Sequence, residues 1–343
     1  MKQNTPLFEP GNFVHIPHPN PAIITGKPGS WDDRACESGD IFKENDTYYW
    51  YYHANKHPVT DLGNYQIGVC TSKSPTGPWI RNKDNPILKL AENDWERDYV
   101  ACPHVIKDTN TYYMFYNGSI VHMPELNEDC WTGIATADNP LGPWKKYENN
   151  PILKSEKVRY IGGVLKVDSK YYMYASNFDE IQSDYGKMYM ATADSLTGPW
   201  IVRDTPVLNE GKKGSWDEAG FSEAKVFHYN GMFHMLYGGS CFAKVRERTC
   251  ESIGYAYSPD GMNWIKFPGN PLIPYQNIPN CSAMAEVHAL LEPPYIYCYH
   301  TLRYLECPEG EIKEWFDEKW IEHLGIQVLE IKNFHAVYPI LYS

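Results

Sequence analysis

The sequence lacks the features that mark several common classes of protein. It has no apolar run near the roughly 20 residues of a transmembrane helix, and its N-terminus lacks the apolar segment of a secretory signal peptide. Basic residues are in deficit, because 31 Lys and Arg stand against 43 Asp and Glu, for a formal charge of −12. We therefore expect no nucleic-acid partner, no membrane partner and a cytoplasmic location.

Motifs for disulfides, dense metal sites and nucleotides are also missing. The nine cysteines form no Cys-x-x-Cys pair, which predicts reduced and mostly buried thiols. There is no glycine-rich phosphate loop and no Gly-x-Ser-x-Gly elbow. We expect no cofactor, although a structural cation held by residues from separate repeats is compatible with this pattern. The oligomeric state is not indicated.

What the sequence does contain is a repeated Asn-Pro-apolar-apolar motif. Copies or close variants start at Asn20, Asn85, Asn150, Thr205, Asn270 and Tyr338. Between these markers each unit repeats the same internal order: an apolar segment, a polar turn, an aromatic segment such as YYWYYHA at 48–54, and a Gly-apolar segment. Four units then carry a Trp, three of them as Gly-Pro-Trp. Short strand signals separated by Gly and Pro turns indicate an all-β protein.

Tandem units of this size, with four strands each, predict β-propeller blades. The prediction is a single five-bladed β-propeller domain over 1–343. Its blades span roughly 25–88, 89–153, 154–208, 209–273 and 274–343. The sixth marker, at Tyr338, suggests that the fifth blade supplies all of its own strands, and how the ring is sealed stays open.

The first strand of a propeller blade lines the central channel, so residues at its start are candidates for chemistry. Aligning the five strand starts brings three carboxylates, Asp40, Glu223 and Glu286, and two histidines, His104 and His288, towards one mouth of the channel. Converging carboxylates can do paired acid–base work, because proximity raises the pKa of one of them. Additional candidates at the rim are Glu37, Asp98 and two tryptophans that could stack on a sugar, Trp31 and Trp216. Packing within each blade is the simpler role for a Trp that recurs in this way, and the recurrence favours it.

The aromatic strand, the repeated Gly-Pro-Trp and the segment Ser-Glu-Ala-Lys-Val at 222–226 resemble the five-bladed glycoside hydrolases of family 43 and its relatives, families 32, 62, 117 and 130. The resemblance implies that Glu223 is the general acid. The aspartate that serves as the family's base falls on Ser38 here, and its third acidic residue falls on Ile161, so the base is assigned to Asp40 or Glu286. The resemblance also places His288 where such channels keep a histidine, sometimes near a cation.

Three functions follow as expectations. The first is an exo-acting, inverting glycoside hydrolase that cleaves a terminal sugar from an oligosaccharide, with His104 and His288 binding substrate. The second is a phosphorolytic relative, whose phosphate pocket would draw on the basic residues Arg159, Arg246, Arg248 and above all Arg303. The third is a non-catalytic propeller that binds carbohydrate or protein, because a fold does not by itself determine a function.

Overall fold

The computed structural model describes residues 5–56, 64–91, 95–120, 130–177, 186–245, 248–304, 321–332 and 334, without the side chains of 243–245, 248 and 321. Its regular structure is almost entirely β-strand, which confirms the all-β prediction. Within these residues no helix has the length and apolar character needed to cross a membrane.

Four units of the fold are antiparallel meanders of four consecutive strands, the last of which has only two residues. In chain order their strands are β2 Ala35–Glu44, β3 Thr47–Asn55, β4 Gln66–Ser72 and β5 Ile80–Arg81; β6 Tyr99–Asp108, β7 Thr111–Ser119, β8 Trp131–Ala137 and β9 Lys145–Lys146; β10 Tyr160–Val167, β11 Lys170–Ser176, β12 Met188–Ala193 and β13 Ile201–Val202; and β14 Gly220–Tyr229, β15 Met232–Val245, β16 Arg248–Ser258 and β17 Ile265–Lys266.

The fifth unit is completed by the N-terminus rather than by the chain that follows it. Its strands are β18 Cys281–Glu292, β19 Tyr295–Tyr304, β20 Ile321–Ile331 and, on the outside, β1 Phe13–Ile16. The register pairs Phe13 with Ile331 and Ile16 with Val328. The expectation that the fifth blade supplies all of its own strands is therefore wrong, and the sixth marker at Tyr338 lies outside the described residues.

The inner strands of the five units form a closed ring. Each of β2, β6, β10 and β14 contacts the next inner strand, and β18 contacts β2. Neighbouring units share apolar cores, as where Tyr51 and Ile67 of the first unit pack with Met114 of the second. Strands that radiate from a common channel in this way make a β-propeller.

The Asn-Pro motif has a definite structural role. The fourth strand is short, and the Asn side chain that follows it forms hydrogen bonds with the backbone of the third strand where the fourth strand no longer pairs. Asn85 accepts from the Val69 N–H through Oδ1 and donates to the Val69 carbonyl through Nδ2, both at 3.0 Å. The same pair of bonds joins Asn150 to Ile134, Asn270 to Tyr255 and Asn20 to Ile326. The Asn20 bonds explain why the first marker precedes the first blade: it belongs to the fifth.

The aromatic strand and the Trp that recur in the repeats pack against each other between adjacent blades. Trp144 packs edge-on against Tyr51 of the preceding blade, and Trp264 against Tyr174 of its own predecessor. The Tyr51 hydroxyl also donates to a backbone carbonyl of the next blade, that of Pro140, at 2.7 Å. The fifth unit carries no such Trp because its outer strand comes from the N-terminus.

We expect closure by β1 to contribute measurably to stability. Phe13 packs edge-on against Phe8, with ring centroids 5.1 Å apart, whereas the neighbouring Val14 is 39% exposed. Phe13→Ala should lower the free energy of unfolding by about 1–3 kcal/mol, below the value for a fully buried Phe because Phe13 is only partly buried. Val14→Ala should stay within about 0.5 kcal/mol of wild type.

Urea denaturation followed by tryptophan fluorescence measures both changes. Equal losses in the two variants, or none in either, would contradict closure of the ring by this strand.

Candidate active site

Each inner strand carries a β-bulge at the same place, near the mouth of the channel. The register shifts lie between Ser38 and Ile41, Ala101 and His104, Ile161 and Gly163, Phe221 and Ala224, and Ala285 and His288. A bulge bends its strand and re-aims the side chains around it. The structure thus directs the residues aligned from the sequence towards a common centre.

Asp40 lies at the centre of this arrangement and is fully buried. Its Oδ1 is 2.5 Å from Lys225 Nζ, and its Oδ2 is 3.0 Å from both His104 Nδ1 and the Val105 N–H. Burial raises the pKa of Asp40, but His104 and Lys225 outweigh it and hold the pKa well below its usual range.

This environment does not suit the general base expected at Asp40. Both carboxylate oxygens are occupied by protein groups, and the side chain has no contact with solvent, so no water can be activated there. We therefore assign Asp40 a structural and electrostatic role.

His288 connects this buried carboxylate to Glu223. Its Nε2 is 3.1 Å from Glu223 Oε2, and its Nδ1 is 3.7 Å from Asp40 Oδ1. Burial lowers the pKa of His288, but hydrogen bonds to Asp40 and Glu223 outweigh burial, and the net shift is upward. His288 therefore links Asp40 to Glu223 and holds the Glu223 side chain in place.

His104 serves the scaffold in the same way. Its Nε2 donates to the Val164 carbonyl at 2.8 Å, which links the second blade to the third. Burial lowers its pKa, and Lys225 adds to the shift. The rings of His104 and His288 are both buried and hydrogen-bonded to protein. They therefore lie beneath the site and do not have the contact with substrate that was predicted for them.

Glu286 is in a different position from the other acids. It has a positive φ of 45°, its side chain is partly exposed, and its Oε2 is buried without a hydrogen-bond partner among the described residues. Burial raises its pKa well above the usual range, and Glu37, Glu251 and Glu223 add to the shift while Arg303 opposes it. Burial and the neighbouring carboxylates therefore both favour the protonated form of Glu286.

Glu223 and Glu286 lie side by side. Their strands pair in parallel, with Ala224 opposite Val287, so the two glutamates occupy matching places on strands about 4.8 Å apart. One glutamate has a raised pKa and the other is hydrogen-bonded to a histidine, and contrasting environments of this kind separate acid and base roles.

Glu37 forms a third acidic position at the mouth. Its Oε2 accepts from His53 Nε2 at 3.0 Å, its Oε1 accepts from the Tyr65 hydroxyl, and its side chain is 17% exposed. Tyr65 belongs to a small cluster at the mouth that sequence reasoning missed, with Tyr99, Ala101, Cys102 and the partly buried Tyr160. A mouth cluster of this kind has no sequence signal, because Tyr65 and Tyr160 lie at ends of strands from different blades.

The basic residues of the site are already engaged with protein. Arg303 is buried, donates from Nε to Glu322 Oε1 at 2.9 Å and lies 3.7 Å from Glu251 Oε1. Arg159 is also buried and donates from Nε to the Glu156 carbonyl at 3.1 Å. Two further candidates from the sequence lie outside the described part of the structure: Arg246 and the side chain of Arg248.

The tryptophans predicted to bind sugar have a packing role instead. Trp31 lies against Tyr52, with ring centroids 5.5 Å apart, and covers Gly68. Trp216 stacks on Tyr237 at 5.6 Å and covers glycines of its own blade, and Trp95 repeats the arrangement in the second blade. The structure thus favours packing within each blade, the role that the recurrence of this Trp had indicated.

The channel also contains three side chains of the type that bind metals. One ligand atom each from Asp40, His104 and His288 lies within 4.8 Å of the others. The donor set nevertheless does not fit a resident cation, because the Lys225 ammonium is already 2.5 Å from the only carboxylate among them.

Two solved glycoside hydrolases have a similar fold. A thermostable family-43 glycoside hydrolase has a TM-score of 0.60 and 19% identity over 88% of this chain and 91% of its own. A family-117 glycoside hydrolase from Zobellia galactanivorans has a TM-score of 0.61 and 14% identity over 93% and 90%. At these identities the likeness establishes the fold, that of the propeller glycoside hydrolases.

One curated relative has a related activity. The 1,2-beta-oligomannan phosphorylase of Thermoanaerobacter sp. (strain X514) is 27% identical over 216 residues, which cover 60% of this chain and 64% of that enzyme, so the match spans less than two thirds of the relative. No protein-family model matches the chain.

The raised pKa of Glu286 predicts a stability penalty that grows with pH. The unfolded pKa of Glu is about 4.3, so between that value and the higher folded pKa the folded state binds more protons and loses stability as pH rises. Glu286→Gln cannot ionise. Its melting temperature should match wild type near pH 4 and exceed it increasingly at higher pH, as measured by differential scanning fluorimetry.

Glu44 provides a control of opposite sign. Lys107 and Tyr112 donate to it and lower its pKa, so its contribution is present above pH ~4 and lost in acid. Glu44→Gln should therefore be less stable than wild type at neutral pH and converge with it at low pH. A Glu286→Gln difference that is flat with pH would show that the pKa of Glu286 is not raised in the folded protein.

Proposed function

We propose that this protein is a glycoside hydrolase in which Glu286 is the general acid and Glu223 the general base. The observation that carries the proposal is the pairing of these two glutamates in contrasting environments, one with an unpartnered buried oxygen and a raised pKa, the other hydrogen-bonded to His288. The roles are the reverse of those that the family resemblance implies for Glu223.

The proposed reaction uses both groups in one displacement. The Glu286 carboxyl donates its proton to the glycosidic oxygen as the bond to the sugar carbon breaks. Glu223 takes a proton from the water that attacks the same carbon, and inversion requires the two carboxyl groups to stand about 6.5–9.5 Å apart with this water between them. The His288 imidazolium offsets the charge of Glu223 before the step and orients it.

Exo action is supported by what lies beneath the mouth. Asp40, His104 and His288 are buried there, so the described channel offers no passage for a chain to thread through. A terminal sugar can enter from the mouth, and the rest of the oligosaccharide stays outside. Glu37, whose side chain is 17% exposed at the mouth, is the residue proposed to contact sugar hydroxyls.

Hydrolysis is favoured over phosphorolysis by the charge of the site. Five glutamates lie in or near the site: Glu286 itself, Glu37, Glu223 and Glu251, whose charges raise its pKa, and Glu322, which binds Arg303. Arg303, the leading candidate for binding phosphate, is instead committed to two of them. A phosphate dianion would meet net negative charge there. The curated relative keeps phosphorolysis as the second candidate, and β-1,2-mannooligosaccharides therefore belong in the substrate panel.

Leaving-group dependence tests the acid assignment. With a substrate found in a panel of aryl glycosides and oligosaccharides, Glu286→Gln should lower kcat about 10²–10⁴-fold for poor leaving groups and less than tenfold for 2,4-dinitrophenyl glycosides, which need no proton. Glu223→Gln should lower both alike. The control Glu292→Gln, on the same strand but paired with Lys43 outside the site, should match wild type.

The opposite pattern, with the activated substrate spared only in Glu223→Gln, would return the acid role to Glu223. Proton NMR of the first-formed sugar checks inversion, and a retained anomer would make Glu223 a nucleophile instead.

The acceptor is tested with phosphate. Product analysis by chromatography, with and without 10-fold excess phosphate over substrate, should give free sugar at the same rate in both. Formation of a glycosyl phosphate that depends on added phosphate would contradict hydrolysis and place the protein with the phosphorylases. Absence of turnover on the whole panel, together with sugar binding, would favour the non-catalytic propeller.

A further inference from the structure

The buried centre of the channel has the donors of a metal site but a lysine where the metal would lie. Nδ1 of His104 is 3.0 Å from Asp40, and Nδ1 of His288 is 3.7 Å from it. Both of these nitrogens are buried and face the Asp40 carboxylate. Two imidazoles and a carboxylate are a donor set that suits Zn²⁺ or Co²⁺.

Lys225 supplies the positive charge in this place. It projects from the fourth blade to Asp40 of the first blade, and its side chain is only 14% exposed. A fully buried carboxylate is costly unless a cation compensates it. The ammonium provides that compensation through a contact of 2.5 Å, without any ligand from solution.

The charges along the channel then alternate. The Lys225 ammonium contacts the Asp40 carboxylate, which lies near the His288 ring, and this ring donates to Glu223. A divalent ion added to this sequence would lie within a few ångströms of the ammonium and be repelled by it.

We propose that Lys225 is a built-in cation that takes the place of a metal ion between Asp40, His104 and His288, so that the native protein does not bind a divalent cation there. Lys225 is a positioning residue in this arrangement, since it acts on Glu223 only through Asp40 and His288. The inference stands whether or not the protein cleaves glycosides.

Removal of the ammonium should create a metal site. Lys225→Met keeps a long side chain but no charge, and it should bind one Co²⁺ per chain at least tenfold more tightly than wild type, measured by isothermal titration calorimetry. Ligation by imidazole and carboxylate should give visible Co²⁺ absorption bands. Zn²⁺ should raise the melting temperature of this variant, because a ligand that binds only the folded state stabilises it.

Two controls match this variant. Lys266 pairs with Asp217 at the same distance, 2.5 Å, in the same blade but outside the channel, so Lys266→Met should gain no site. Adding His104→Ala to Lys225→Met should abolish the new Co²⁺ bands, because one of the ligands is lost.

Two results would overturn the proposal. One is a Lys225→Met protein with the circular dichroism and fluorescence of wild type but no gain in Co²⁺ affinity. The other is stoichiometric Co²⁺ binding by wild type that disappears in His104→Ala, and this measurement decides the matter even if Lys225→Met does not fold. Absence of such binding in wild type, with Lys225→Arg equally inert, supports it.

Discussion

A single buried carboxylate organises the centre of this molecule. Asp40 comes from the first blade, yet its partners come from the second, fourth and fifth, and His104 reaches on to a carbonyl of the third. A charge removed from water must be compensated in place, and here every blade contributes to that compensation directly or at one remove. The position of Glu223 depends on this network through His288.

The acidic mouth depends in turn on this centre. Beneath the mouth, the charge of Asp40 is balanced by Lys225 and the histidines. At the mouth, glutamates from three blades approach one another, and their charges are not balanced in the same way. The raised pKa of Glu286 is the consequence, because like charges in a buried site disfavour one another's ionised form. The raised pKa of Glu286 lowers stability at neutral pH, at the position where acid catalysis is proposed. A loss of stability at a functional site is a common trade-off.

The architecture was readable from the sequence because it depends on local, repeated interactions. The Asn-Pro marker recurs because the Asn amide bonds the third strand of its blade, and the Trp recurs because it packs on the preceding blade. Ring closure was not readable. Phe13 pairs with Ile331, and Asn20 bonds Ile326, so both interactions join the two ends of the chain. The partners are neighbours in space but far apart in sequence, and no local pattern predicts them.

The sequence by itself determined the all-β repeat, the alignment of strand starts and the set of acids and histidines that face one channel. Only the tertiary structure decided what each does. Asp40 and Glu286 are both acids at the start of an inner strand, but Lys225 reaches the first, and other glutamates lie near the second. Trp31 and Trp216 were separated from the site in the same way, by the tyrosines on which they pack. Protonation, burial and access to water depend on neighbours from other blades, which no spacing along one chain specifies.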